Sequence, residues 1–306
     1  MQTILASGIW RNSPLKQAGS RCMLALLLLT AALGSGCSTL NFAYSMAPTV
    51  LGVMADNYLD LDGEQETLIK ERIIALREWI RVNHLAETGK LLQEASNRVE
   101  RPVTLDDVQW FTTEARRRWK AVGTRIATDM ADLAPRLNAD NIAALKKKFA
   151  RNNAEYTKDT INARPEKQRE KRLERVKENA ERWYGSFDDT QMERIKAMSE
   201  ALPMHYRSVL EDRIRRQTAL LTLLTGLMDK SLARAEAEPR LITLFTEFEQ
   251  GRSAEYQALA ANYLARSQAM TVEIANLATP DQRATAQRRF KRWADDMTSL
   301  AARKEP

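Results

Sequence analysis

The sequence predicts an all-α protein, an elongated bundle of amphipathic helices behind a lipoprotein-type leader. Three observations carry that expectation. Glycine and proline are scarce, 11 and 9 in 306 residues, while Ala, Leu, Glu, Lys, Arg and Gln are frequent, the side chains that lose least on entering a helix. Apolar residues recur three or four apart over long stretches, and no run of alternating β-branched residues marks a half-buried strand. Finally, one helix-start pattern occurs five times: an apolar residue, then Asp, Asn or Thr, then two residues, then Gln or Asn.

The copies begin Leu61-Asp62, Leu105-Asp106, Leu137-Asn138, Phe187-Asp188 and Ala278-Thr279, and end on Gln65, Gln109, Asn141, Gln191 and Gln282. A short oxygen-bearing side chain accepts a bond from an orphan amide of the first turn, and the amide three places later reaches back. Pro280 at a first helical position fits the same reading. The pairs Asp62/Gln65, Asp106/Gln109, Asn138/Asn141, Asp188/Gln191 and Thr279/Gln282 are therefore expected to cap helices. Their spacing is too uneven for a solenoid repeat.

Taken in order, Ser38 to Asp60 is poor in charge and rich in apolar residues, unlike a disordered tether. Pro48 is expected in the first turn of a short helix packed on the body, or the aromatics there dip into lipid headgroups. A helix from about Glu64 to Val99 carries Leu68, Ile69, Ile73, Leu76, Ile80, Leu85, Leu91 and Leu92 on its inner face, with Trp79 and His84 beside them. The next, from about Asp106 to Leu133, ends at Pro135 and exposes Arg116 to Arg118. A third starts near Ala139 and carries Lys146 to Lys148.

Residues 164–182 are dominated by charge with opposite signs three and four apart, such as Glu174 with Lys177 and Glu178 with Arg182. That stretch suits an exposed arm, or a connector between two sub-bundles. A break at Trp183-Tyr184-Gly185 precedes the fourth cap. A helix from Met204 to about Ala233 has an uncharged middle, Thr218 to Met228, too short to span a bilayer; it reads as buried core or as the floor of an apolar groove. Pro239 is expected to open one long helix to Leu277, with Leu241, Phe245, Phe248 and Ile274 inward. The last helix runs from Pro280 to about Ala302.

The leader sets the location. Arg11, Lys16 and Arg21 precede an apolar core from Cys22 to Leu33, and Gly34, Ser35 and Gly36 lead into Cys37. This resembles a bacterial lipobox, which implies that Cys37 is lipidated and becomes the first mature residue. Ser38 behind it, by that resemblance, sorts the protein to the outer membrane, facing the periplasm. The alternatives are an ordinary cleaved signal and an uncleaved anchor, although the apolar core falls short of the roughly 20 residues a spanning helix needs. The division is then 1–36 as signal peptide, 37–60 as lipidated N-terminus with a short packed segment, and 61–306 as the helical domain. Cleavage would take the formal charge from +7 to +4 and remove Cys22, leaving no cysteine pair for a disulfide.

The same lipobox, the run Tyr58 to Asp62 with Gln65, the helix from Trp79 to Leu92, the Trp183-x-Gly185 turn with Gln191, and the closing Thr279-Pro280-Asp281-Gln282 helix together resemble a family of Gram-negative lipoproteins classed as a domain of unknown function. The capped helices also resemble those of Spy- and CpxP-type periplasmic chaperones and of lipase-specific foldases. Neither likeness implies a reaction. His84 and His205 are the only histidines and sit in no metal-ligand spacing, and no nucleophile elbow, P-loop or dinucleotide fingerprint occurs. Asp106-Asp107 and Asp188-Asp189 are explained by helix starts, and Asp295-Asp296 point apart on a helix. The expectation is a protein without catalytic residues, metal or cofactor, and without a nucleic-acid partner. It is tied to the membrane through Cys37 and is a binding or chaperone-like module for another envelope protein. A cell-envelope hydrolase and a purely structural tether are the alternatives.

Overall fold

In the computed structural model, which describes residues 39–247 and 249–303, every regular element is a helix. The leader, Cys37, Ser38, the inward position assigned to Phe248 and the chain end from Lys304 lie outside the described residues. Pro48–Pro306 makes one compact unit. Within it the charged helix packs against its neighbours, as described below.

Helix α1 spans Thr39–Leu59 and runs straight through Pro48, which is not in its first turn as expected. The fixed φ of proline is compatible with a helix, and inside one it costs a backbone hydrogen bond and crowds the preceding turn, which this helix tolerates. Helix α2, Gly63–Ile80, leads through a π turn at Arg81–Leu85 into α3, Ala86–Arg98. The reason is legible in the apolar stripe. Ile69, Ile73, Leu76 and Ile80 are three or four apart, but Leu85 comes five after Ile80. One turn of i to i+5 bonding absorbs the extra residue and keeps the stripe inward. It also delivers Arg81 onto the far end of the chain, where its guanidinium donates to the Ala301 carbonyl at 3.0 Å and to that of Arg303.

Helix α4 spans Leu105–Leu133, and its cap corrects the expected one. Thr104, not Asp106, accepts the first-turn amide, and Asp107, not Gln109, reaches back to the Thr104 amide at 2.9 Å. Threonine caps a helix somewhat less well than aspartate, but the shift to it buries Asp107 where Arg98 and Arg101 clasp it at 3.0 and 2.8 Å. Asp106 and Gln109 are left exposed on the helix. Of the basic triplet, Arg118 folds inward, donating to Glu114 and to the Glu87 carbonyl. A 3-10 turn at Ala134–Arg136 ends the element.

Helix α5, Ala139–Tyr156, ends in a second π turn, Thr157–Ile161. Helix α6 is the charged stretch, Pro165–Tyr184, followed by α7 at Asp189–Glu200 and α8 at Tyr206–Met228. Helix α8 stops earlier than expected, because the Asp229 carboxylate accepts the Ser231 amide and Lys230 turns to φ 62°. The expected long helix from Pro239 is two: α9, Arg234–Thr246, and α10, Ala254–Leu277. Pro239 lies inside α9, and Glu238 before it accepts the Thr128 hydroxyl at 2.8 Å. Gly251, at φ 75°, makes the break, and Ser253 caps the new start. Helix α11, Pro280–Ala302, closes the fold.

One core joins α4, α5, α8 and α9 through Ala127, Ala131, Leu145, Leu223, Leu224, Leu227, Ala237 and Leu241, with Tyr58 and Phe149 packed against it. The uncharged middle of α8 is thus buried core, and its leucines 223, 224 and 227 are each only 3% exposed. A second core gathers Ala180, Phe187, Ile195 and Ile274 from α6, the α6–α7 turn, α7 and α10. Trp183 stacks on Phe290 with ring centres 4.1 Å apart, fixing α6 to α11.

Helices α3 and α11 pack closely at Gly89, where an added Cβ would stand 2.8 Å from Thr298 Oγ1 and 3.0 Å from the Ala294 carbonyl oxygen. A Gly89→Ala substitution gains helix propensity of roughly 1 kcal/mol but forces these backbones apart, at about 1–3 kcal/mol. The expected result is a lower melting temperature, read by circular dichroism; a higher one would show that the contact yields freely.

Candidate functional site

The helix caps do more than start helices. Asp62, Asn138, Asp188 and Thr279 each accept the amide of the residue three places on, with the reciprocal bond present in all four. The reaching side chains then pair across the fold. Gln65 Nε2 donates to Asn141 Oδ1 at 2.9 Å, and Asn141 Nδ2 donates back at 3.2 Å. Gln191 Nε2 donates to Gln282 Oε1 at 2.8 Å, and Gln282 Nε2 donates back at 3.1 Å.

The remaining amide hydrogens follow one rule. Gln65 binds the Arg136 carbonyl, two residues before its partner's cap, and Asn141 binds that of Asp60, two before Asp62. Likewise Gln191 binds Leu277, two before Thr279, and Gln282 binds Ser186, two before Asp188. The molecule therefore contains the same clamp twice, joining the starts of α2 and α5 and of α7 and α11. This arrangement holds helix ends together and offers no reacting group.

A cleft lies elsewhere, between α8 and the loop that leads into α10, with a volume of about 330 Å³. Helical spacing puts Ser208, Asp212 and Arg215 of α8 on one side of it. The loop contributes Arg252 and Ser253, and α10 contributes Glu255 and Tyr256. Asp212 is buried under three guanidiniums: Arg215 at 2.8 Å, Arg216 at 3.2 Å and Arg252 at 3.3 Å. Burial pushes the Asp212 carboxyl up, but the hydrogen bonds from Arg215 and Arg252 and the surrounding positive charge outweigh it and hold the group below its ordinary value. Burial lowers Arg216, against the pull of Asp212, and raises the Tyr256 phenol, with the Asp212 charge adding to it. The Arg252 guanidinium lies 5.0 Å from the Tyr256 ring centre. Gly251 is favoured here by its φ of 75°, which L side chains rarely adopt.

None of these cleft residues is conspicuous in the sequence. Asp212 with Arg215 and Arg216 is an ordinary helical ion-pair spacing, and Arg252 is 40 residues away. Neither histidine lines the cleft. His84, on the first π turn, meets Trp79 edge to face at 4.6 Å, and its Nε2 is buried without a hydrogen-bond partner. Burial, and then Arg118 and Arg117, push its pKa down. His205 immediately precedes α8. Among the described residues no three His, Cys, Asp or Glu side chains come together as metal ligands, and no helix is long and apolar enough to cross a membrane.

The fold and its clamps define an all-α protein of paired, capped helices. A family model described as a family of unknown function, DUF6279, matches residues 57–257, and the chain belongs to that family. The matched span contains the first clamp and the charged residues of the cleft. No curated protein and no solved structure matches the chain.

Proposed function

We propose that the chain is an outer-membrane lipoprotein, held by lipid on Cys37 with its body facing the periplasm, and a non-enzymatic binding or chaperone-like module for another envelope protein. The observation that supports this is where apolar surface is left uncovered. Phe42, Met46, Leu51 and Val53, half of the exposed large apolar residues among those described, all belong to α1, and Phe42 and Val53 are 59% and 64% exposed. That helix begins two residues after Cys37 and carries no charged side chain from Thr39 to Ala55. Apolar surface in water costs about 25 cal/mol per Å², so its concentration on one element marks a segment that another surface covers. The resemblance of the capped helices to Spy- and CpxP-type chaperones points the same way.

The test is a photo-crosslinking residue at Val53 in living cells, with Cys37 intact and with Cys37→Ala. One envelope protein crosslinked only when Cys37 is intact is the expected result. A spread of unfolded clients captured by both forms would favour a chaperone whose anchor is incidental. Crosslinks to lipid alone would overturn the reading as a protein-binding module.

A further inference from the structure

We propose that the cleft between α8 and the start of α10 binds a small zwitterion, with its anionic group on Arg215 and Arg252 and its cationic group on Glu211 and Glu255. The inference does not depend on the function proposed above. Three guanidiniums converge on the single Asp212 carboxylate, which offers too few oxygen lone pairs for all of their donors. Arg215 and Arg252 each engage Asp212 through Nε and Nη2. Their Nη1 groups carry no bond, and both residues line the cavity. An arginine held rigidly by some of its donors while others face an open cavity is suited to an oxygen anion.

Fastening the loop to α8 accounts for Asp212 and the donors it uses. It does not account for Glu211, nor for Glu255 beyond the helix dipole that favours an acid in the first turn of α10; both line the same cavity, are exposed, and join no ion pair among the described residues. An anion alone would be repelled by these acids, and a cation alone by the arginines. A molecule with both charges satisfies each group, and about 330 Å³ accommodates one of a few heavy atoms beyond its two charged ends. A phosphoethanolamine headgroup and a free peptide both have this chemistry.

Calorimetric titration of the purified full mature protein in detergent tests the proposal with four probes: glycerophosphoethanolamine, L-alanyl-L-alanine, glycerol 3-phosphate and ethanolamine. At least one of the two zwitterions is expected to bind saturably, tenfold or more tighter than either single-charge probe. Which zwitterion binds separates a lipid source from a peptide one. Combining Glu211→Gln with Glu255→Gln, at exposed positions that join no ion pair among the described residues, is expected to weaken that binding at least tenfold with the helical circular dichroism retained. Glycerol 3-phosphate binding as tightly as the zwitterions, no binding by either zwitterion, or indifference to the double substitution would each overturn it.

Discussion

Asn141→Leu is expected to destabilise the protein by about 3 kcal/mol, well beyond the loss of a helix cap. Asn141 is 1% exposed, so water cannot replace what leucine removes. Its Nδ2 serves the Leu59 and Asp60 carbonyls at 2.9 and 3.0 Å, and its Oδ1 accepts the Asn138 amide at 2.8 Å and Gln65 Nε2 at 2.9 Å. Leucine fills the same space and strands all of these at once. Each buried polar group left unpaired costs roughly 1–3 kcal/mol, although relaxation keeps such costs from adding fully. Asn138→Ala is the control. That residue is exposed and only caps α5, so its loss is worth about 1 kcal/mol. Urea denaturation of both variants separates the readings: equal losses would mean that the cross-fold pairing contributes nothing. A double cycle with Gln65→Leu should show a coupling of more than about 0.5 kcal/mol, as residues of one buried network do.

That pairing marks the limit of what the chain alone discloses. The local half of the clamp is written within a few residues, and Asp62, Asn138, Asp188 and Thr279 are recognisable because a capping side chain acts only on its own first turn. The other half joins positions 76 and 91 residues apart, and nothing local distinguishes a glutamine that pairs across the fold from one that faces water. The same division explains the displaced elements. Thr104 and Asp106 are both able to cap α4, and what favours Thr104 is that Asp107 then meets Arg98 and Arg101. Pro48 and Pro239 lie inside helices although Pro165 and Pro280 open theirs, and nothing local to a proline separates the two cases. Two signals were present in plain form: the five-residue step from Ile80 to Leu85, which marks the π turn, and Gly251 two before Ser253, which marks the break before α10. The cleft was not legible, because helical ion-pair spacing is common and its third arginine arrives from a loop.

Asp212→Asn is expected to cost about 3 kcal/mol at neutral pH, because it keeps the shape of the side chain while leaving three guanidiniums facing one another. Their solvent exposure keeps the value at the low end of what breaking a buried pair costs; the Arg215, Arg216 and Arg252 side chains are 35%, 24% and 10% exposed. Added salt should restore part of the loss by screening the repulsion among the arginines. The pH dependence has a definite sign. The folded carboxyl titrates below its ordinary value of 3.8, so its ionised form is favoured by folding. Its contribution is complete above that value and is lost as the pH falls through it toward the folded pKa. Asparagine has no such proton. The gap between wild type and variant should therefore stay constant from neutral pH to about pH 5 and narrow below about pH 4. Asp107, also held well below the ordinary range by Arg101 against the opposing effect of burial, titrates alike in both proteins and cancels from the difference. Equal stability at neutral pH, or a gap that persists undiminished at pH 3, would show that Asp212 does not organise the three arginines. The cleft would then lack the fixed guanidinium geometry on which ligand binding at Arg215 and Arg252 depends.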